Sequence, residues 1–184
     1  MAINGKTVLA VIPARGGSKR VPRKNLRNYR GKPLVQWACE AGAASKYIDE
    51  MCVSTEDLEI AQFVQSIGFS THKRPLDICD DDDTCEDVIR DVLNADLDEL
   101  PWDFVVLLQP TSPQRTAEDI DACIERAQLG HGCISTYMGK TNGAVYVASA
   151  EWLAEHEFSH LGLAKYEMPE ERSLDINEPE DFDR

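Results

Sequence analysis

Six short apolar runs rich in β-branched residues are spaced along the chain, with helix-like segments between most of them, and this alternation constrains the fold more than any other feature. The first run, Thr7–Pro13 (TVLAVIP), ends in Pro13 and a pair of glycines, the mark of a buried strand. Similar runs follow at Met51–Ser54, Phe69–Lys73, Phe104–Gln109, Cys133–Tyr137 and Ala144–Ala148, and Leu34–Ala44, Leu58–Ser66, Cys85–Ala95 and Ala117–Gln128 read as helices. Val105–Leu108 is apolar without interruption, as a parallel strand covered on both faces must be. Thr84 with Asp87, and Thr116 with Asp119, have the spacing of capping boxes at helix starts. The alternation predicts an α/β domain with a mainly parallel sheet, and 184 residues suit one such domain. Ligands in such a sheet bind at the carboxyl ends of the strands, here the loops after Pro13, Ser54 and Gln109.

The charge is unevenly placed. The formal net charge is −14, yet the first 39 residues contain no Asp or Glu, and 9 of the 19 basic residues fall within positions 1–32. An acidic protein repels nucleic acid and anionic membranes, so neither is expected as a partner; a local basic stretch suits a small polyanion such as a nucleoside triphosphate. No apolar run approaches a bilayer span, and Met1–Lys6 lacks the pattern of an export leader, so the expected compartment is the cytoplasm. Six scattered cysteines without a C-x-x-C pair read as buried free thiols rather than a zinc cluster or a disulfide framework.

The chemistry concentrates in the segment from Pro13 to Asn25 (PARGGSKRVPRKN). Gly16 and Gly17 let a backbone approach a ligand closely and turn its N–H groups toward phosphate oxygens, while Arg15, Lys19 and Lys24 neutralise charge. The spacing fits neither the dinucleotide fingerprint nor the P-loop, and on composition alone a solvated basic loop is the alternative.

IPARGGSKRVPRKN followed by Gly31-Lys32-Pro33-Leu34 resembles the N-terminal signature of the acylneuraminate cytidylyltransferases, or CMP-sialic acid synthetases. The likeness continues through VST at Val53–Thr55, Arg74-Pro75, LLQPTSPQRT at Leu107–Thr116, NGAVYV at Asn142–Val147 and SLDINEPEDF at Ser173–Phe182, nearly end to end. The resemblance implies a Rossmann-like three-layer α/β domain that transfers CMP from CTP to a nine-carbon acidic sugar. By position it implies that Arg15, Ser18, Lys19 and Lys24, with Gly16 and Gly17, hold the triphosphate, Asn25 the ribose and Arg74 the cytosine. It places Gln109, Thr111, Ser112 and Arg115 near the sugar, and makes Arg15, Lys19 and Asp175 the residues that carry the transfer. Arg115 is suited to grip a carboxylate; read without the resemblance, 109–115 is an ordinary Pro-rich strand-to-helix loop.

The same resemblance makes Asp175 a ligand for Mg²⁺, where its own sequence context offers a turn cap ahead of Glu178-Pro179 as the alternative. Asn177 stands where the family often has a second Asp; on a strand it would face the same side as Asp175, which makes Asn177 the second, weaker ligand expected for the same metal. The long insertion that builds the family's homodimer is reduced here to Met138–Thr141, which argues against that dimer and leaves the oligomeric state open, and the chain is expected to lack most of the family's closing helix. With Asn177, the missing insertion makes a non-catalytic CTP or CMP-sugar binding module the alternative function. His156–His160 spells H-E-x-x-H but is short and followed by Gly162, so it reads as an accidental match on an exposed helix; Asp80–Asp83 lacks EF-hand spacing and reads as a solvated acidic turn.

Overall fold

Along the first strand, β1 (Val8–Pro13), side chains alternate between two cores: Val8, Ala10 and Ile12 are buried in one, Leu9 and Val11 in the other. A strand buried on both faces must lie in the middle of a layered structure, and it does. The computed structural model describes residues 3–80, 83–95, 102–159 and 162–184. The chain continues through β2 (Asn28–Tyr29), β3 (Lys32–Pro33), α1 (Leu34–Ala43), β4 (Glu50–Thr55), α2 (Leu58–Ser66), β5 (Ser70–Lys73), α3 (Cys85–Ala95), β6 (Phe104–Leu107), α4 (Ala117–Ala127), β7 (Gly132–Tyr137), β8 (Lys140–Ser149), α5 (Ala150–Leu153) and β9 (Ala164–Glu167). The main sheet has the order β5-β4-β1-β6-β8-β7-β9. On one face Val35 and Cys39 of α1, Ile60 and Val64 of α2, and Ile120 and Ile124 of α4 close the first core. Val88, Ile89 and Val92 of α3, with Trp152 and Leu153 of α5, close the second. This is the three-layer α/β fold with a mainly parallel sheet that the strand–helix alternation predicts.

Four pairings are parallel, and β8 is the exception, antiparallel to both β6 and β7. The cause is local. Tyr137 pairs with Lys140, so only Met138 and Gly139 connect β7 to β8, and both have positive φ (51° and 75°). A two-residue turn of this kind matches the strand twist and forces an antiparallel hairpin. Where Met138–Thr141 was expected as a loop remnant, the strand therefore already resumes at Lys140.

Both capping boxes form. At α3, Thr84 N–H donates to Asp87 Oδ2 at 3.0 Å and Asp87 N–H to Thr84 Oγ1 at 3.2 Å; at α4, Thr116 N–H donates to Asp119 Oδ2 at 3.0 Å. All six cysteines are free thiols, and Cys39, Cys123 and Cys133 are buried. Burial pushes the Cys39 thiol up to about 12, as expected for an inert core residue. Among the described residues no helix is long and apolar enough to cross a membrane.

A third, smaller core joins Tyr29 and Leu34 to Leu174 and Ile176 of the C-terminal segment. That segment follows β9 through short 3₁₀ turns at Glu170–Arg172 and Pro179–Asp183. Ser173–Asn177 is not a strand, contrary to the geometry assumed for Asp175 and Asn177. It is held by tertiary bonds instead: Ile176 N–H donates to Thr111 O at 2.7 Å, and Arg172 grips the fully buried Asp119 through Nε and Nη2, both at 2.9 Å.

Candidate active site

A cleft of about 570 Å³ opens at the carboxyl ends of β1 and β6, where the sheet order turns outward in both directions from neighbouring strands. The β1 loop contributes Arg15, Ser18, Lys19, Lys24 and Asn25 to its wall; the loop after β5 contributes Arg74; the β6 loop contributes Gln109 and Thr111; and the C-terminal segment contributes Asp175 and Asn177. These ten residues, far apart in sequence, are thus brought to one space.

The basic loop is fixed from below. Ala14 N–H continues the ladder to Ser54 O at 3.0 Å, and the buried Asn25 donates from Nδ2 to Arg15 O at 2.9 Å. Arg23 adopts φ 56°, costly for a residue with a Cβ, and is held there by Asp57 (Nη2 to Oδ1, 3.0 Å) and by Glu59. Asp57 also caps α2, accepting from Ile60 N–H at 2.9 Å, and a Cβ on Gly16 would lie 2.4 Å from its Oδ2. The glycine at 16 therefore serves the packing of loop on helix. Its N–H donates to Glu56 Oε1 at 2.7 Å, and neither Gly16 nor Gly17 forms part of the cleft wall.

Lys24 and Arg74 are the shielded cations of the cleft. Burial lowers the Lys24 ammonium below its ordinary value, with the charge of Asp175 pulling the other way, and Nζ donates to Ile176 O at 3.2 Å. Arg74 is buried, which lowers its pKa, and it donates to Ser54 O at 2.8 Å and Ser54 Oγ at 3.3 Å. Lys19 is exposed at the rim.

Ser112 and Arg115 lie beneath the floor rather than in the wall, both buried. Arg115 Nη1 donates to the carbonyls of Gln109 and Ala144, each at 2.7 Å, while its Nε and Nη2 are buried without a hydrogen bond. Burial lowers its pKa well below that of an ordinary arginine. A Pro-rich loop with an arginine before a helix cap could not reveal this inward turn.

Asp175 carries the arrangement's sharpest signal. Its Oδ2 accepts from Asn177 Nδ2 at 2.7 Å, whereas Oδ1 is buried with no hydrogen-bond partner. A half-satisfied carboxylate beside a cationic cleft is unfavourable unless something else meets it. The turn-cap alternative does not apply, because the cap of the Pro179–Asp183 turn is made by Asp181, which accepts from Asn177 N–H and Glu178 N–H at 2.9 Å each. Asp80, Asp83, Thr84 and Cys85 also line the cleft. The sequence predicts a solvated turn at Asp80–Asp83; the structure sets Asp80 and Asp83 in the cleft wall, and residues 81 and 82 lie outside the described residues. Cys85 had no distinguishing sequence signal; Gln109 Nε2 lies 3.6 Å from its Sγ.

The H-E-x-x-H run forms no helix at His156–Ser159, its last residue lies outside the described residues, and the His156 ring stacks on Trp152 with centroids 4.7 Å apart. Among the described residues no three His, Cys, Asp or Glu side chains gather as a ready-made metal cluster.

Residues 9–153 match the family described as cytidylyltransferase. The chain belongs to that family. A CMP-N,N'-diacetyllegionaminic acid synthase from Legionella pneumophila is 40% identical over 120 residues, covering 64% of this chain and 52% of that protein. A 3-deoxy-manno-octulosonate cytidylyltransferase from Bdellovibrio bacteriovorus is 33% identical over 174 residues, covering 90% of this chain and 65% of that one. The chain thus spans about half to two thirds of the length of these curated relatives. A crystal structure of 4-diphosphocytidyl-2C-methyl-D-erythritol synthase superposes with a TM-score of 0.70 at 13% identity, covering 96% of this chain and 95% of that one, a likeness of fold alone.

Proposed function

We propose that this cytidylyltransferase transfers CMP from CTP to an acidic sugar of the nonulosonic, sialic-acid-like class, releasing pyrophosphate, with Mg²⁺ as its cofactor. The observation that carries the reading is the meeting of Arg15, Lys19 and Lys24 with the half-satisfied carboxylate of Asp175 in one cleft at the carboxyl ends of β1 and β6. The relatives named for CMP-legionaminic acid and 3-deoxy-manno-octulosonate support an acidic sugar as acceptor.

In this reading the sugar's anomeric hydroxyl oxygen bonds the α-phosphorus, the bond from that phosphorus to the bridging oxygen of the β-phosphate breaks, that oxygen leaves with pyrophosphate, and the hydroxyl proton passes to solvent water. Lys19 and Arg15 neutralise the charge gathering on pyrophosphate, Lys24 and Ser18 hold the phosphates, Asn25 meets the ribose and Arg74 the cytosine. Gln109, with donor and acceptor on one amide, and Thr111 meet sugar hydroxyls. The residues fit a hard cation: Asp175 offers one free charged oxygen, Asn177 has a carbonyl oxygen if its amide turns over, and one carboxylate plus phosphates is a common Mg²⁺ donor set. Bound there, Mg²⁺ would supply charge neutralisation between phosphate oxygens. Free thiols throughout suit a reducing, cytoplasmic setting.

Lys19→Ala is expected to weaken CTP binding about tenfold, the scale of one charge-assisted hydrogen bond, and to leave the melting temperature unchanged because the side chain is exposed. Calorimetric titration with CTP checks it, and unchanged affinity would remove Lys19 from the phosphate site. The two-residue turn at Met138–Gly139 supports the reading that this chain does not pair through the family's insertion. Sedimentation is expected to show a monomer or a dimer paired elsewhere, and an interface centred on residues 138–141 would contradict this.

The hydrogen bond from Asn177 to Asp175 favours a second reading, a module that binds CTP without turnover. Pyrophosphate release with Mg²⁺, CTP and an acidic sugar separates the two.

A further inference from the structure

Strand β8 leaves its partner in the middle. Ile134 lies opposite Tyr146 and Thr136 opposite Thr141, so Ser135 alone on β7 faces the four residues from Asn142 to Val145. The resulting bulge is firmly built: Val145 N–H donates to Ser135 Oγ at 2.8 Å, the Ser135 hydroxyl donates to Asn142 Oδ1 at 2.6 Å, and Asn142 Nδ2 donates to Ser173 Oγ at 3.1 Å. Bulges of this kind re-aim the chain beside sites. At the crest, Gly143 has φ 77°, and a Cβ there would lie 3.2 Å from Gln109 Oε1 and 3.5 Å from both Asp175 Cγ and Ser112 Oγ. Next to it, Ala144 O accepts from the Arg115 guanidinium, which also holds Gln109 O, so one buried side chain ties the bulge to the β6 loop.

We infer that Gly143 and Arg115 are positioning residues for the acceptor half of the site. The bare Gly143 lets β8 close on Gln109 and Asp175, and Arg115 locks the two backbones at that separation, so together they set the spacing between the amide and the carboxylate. This rests on the reading that Gln109 meets the acceptor sugar and Asp175 the metal. Neither positioning residue touches the triphosphate loop, whose main anchors are Gly16 on Glu56 and Arg23 on Asp57; the loop is tied to the Asp175 segment by the bond from Lys24 to the backbone carbonyl of Ile176. Their effect therefore falls on the acceptor step and on what Mg²⁺ adds at Asp175, and not on metal-free CTP affinity.

The test compares Gly143→Ala with Gly68→Ala. Gly68 has the same kind of backbone (φ 87°) but open space where a Cβ would go, so its variant carries the strain without the crowding. Gly143→Ala is expected to lower kcat/KM for the acceptor sugar by about tenfold or more, the scale of a sub-ångström misplacement, with CTP Kd by calorimetry without Mg²⁺ within about twofold of wild type. Gly68→Ala is expected to melt earlier and keep wild-type kcat/KM. Ser135→Ala removes the hydroxyl that anchors the bulge without adding bulk; it should show the pattern of Gly143→Ala and decides the matter if that variant does not fold. Acceptor kcat/KM unchanged in Gly143→Ala, or unchanged in Ser135→Ala where Gly143→Ala does not fold, overturns the inference, as does a loss of metal-free CTP affinity equal to the loss in the acceptor step. A wild-type chain that binds CTP but never turns over sinks the underlying reading and this inference with it, a result distinct from a working wild type with indifferent variants.

Discussion

Asp175→Asn is expected to cut kcat by about two orders of magnitude or more while the protein stays folded, the scale of losing several kcal/mol of metal-dependent charge stabilisation. The substitution keeps the shape of the side chain and removes a charge whose Oδ1 is buried without a partner, so folding has little to lose. CTP should still bind through the basic loop, though with less benefit from Mg²⁺. Conversely Asn177→Asp should leave turnover intact or lower the Mg²⁺ concentration it needs, because Asn177 already lies 2.7 Å from Asp175 and a second carboxylate there adds a charged ligand. Steady-state kinetics across a Mg²⁺ series measures both. Near-full, Mg²⁺-dependent turnover in Asp175→Asn would move the metal site elsewhere, with Asp80 and Asp83 on the same cleft as the next candidates.

The second large effect is on stability. Asp119 is fully buried and accepts from Arg172 Nε and Nη2, Thr116 N–H and Tyr166 Oη–H at 2.9 to 3.1 Å. Arg172→Ala leaves that buried carboxylate without its counter-charge and is expected to cost about 3 kcal/mol, or roughly 10 °C in melting temperature for a chain of this length. Burial raises the Asp119 pKa, but the bonds from Arg172 and Thr116 N–H outweigh it and hold the group below the usual carboxylate range. A depressed folded pKa stabilises above the unfolded value near 4, and that contribution fades as pH falls through the lower folded value. The gap between wild type and Arg172→Ala, followed by thermal melting, should therefore narrow on acidification below about pH 4. A gap that stays constant or widens would show that Asp119 is not the charge Arg172 serves. Because Arg172 also anchors the segment leading to Asp175, the variant should lose turnover before it loses fold.

The sheet and its helices were legible because β1 and β6 are buried on both faces, and a strand so placed must be apolar throughout. Strand β9 (AKYE) has no signature in the sequence for the opposite reason: it lies at the sheet edge, largely exposed, and carries no apolar run. The hairpin of β7 and β8 was hidden because Met138-Gly139 lacks the Asn-Gly signal of such turns, although it adopts their positive φ angles. Asp175 and Asn177 do meet, but through irregular backbone pinned by Thr111 and Arg172 rather than through strand alternation. For Arg115, residue type alone suggested a carboxylate grip; which way the guanidinium turns depends on the carbonyls of Gln109 and Ala144, and those come together only in the fold. Gly143 likewise acquires meaning only when the bulge sets it against Gln109.

The most direct test measures pyrophosphate release from CTP and Mg²⁺ with a panel of acidic sugars, including sialic, legionaminic, pseudaminic and 3-deoxy-manno-octulosonic acids, alongside calorimetric CTP binding. The expected result is pyrophosphate formed in step with one CMP-sugar, only when CTP and an acidic sugar are both present, and lost on chelation of Mg²⁺. CTP binding with no pyrophosphate released for any of these sugars would contradict the proposed transfer and leave a nucleotide-binding module in its place.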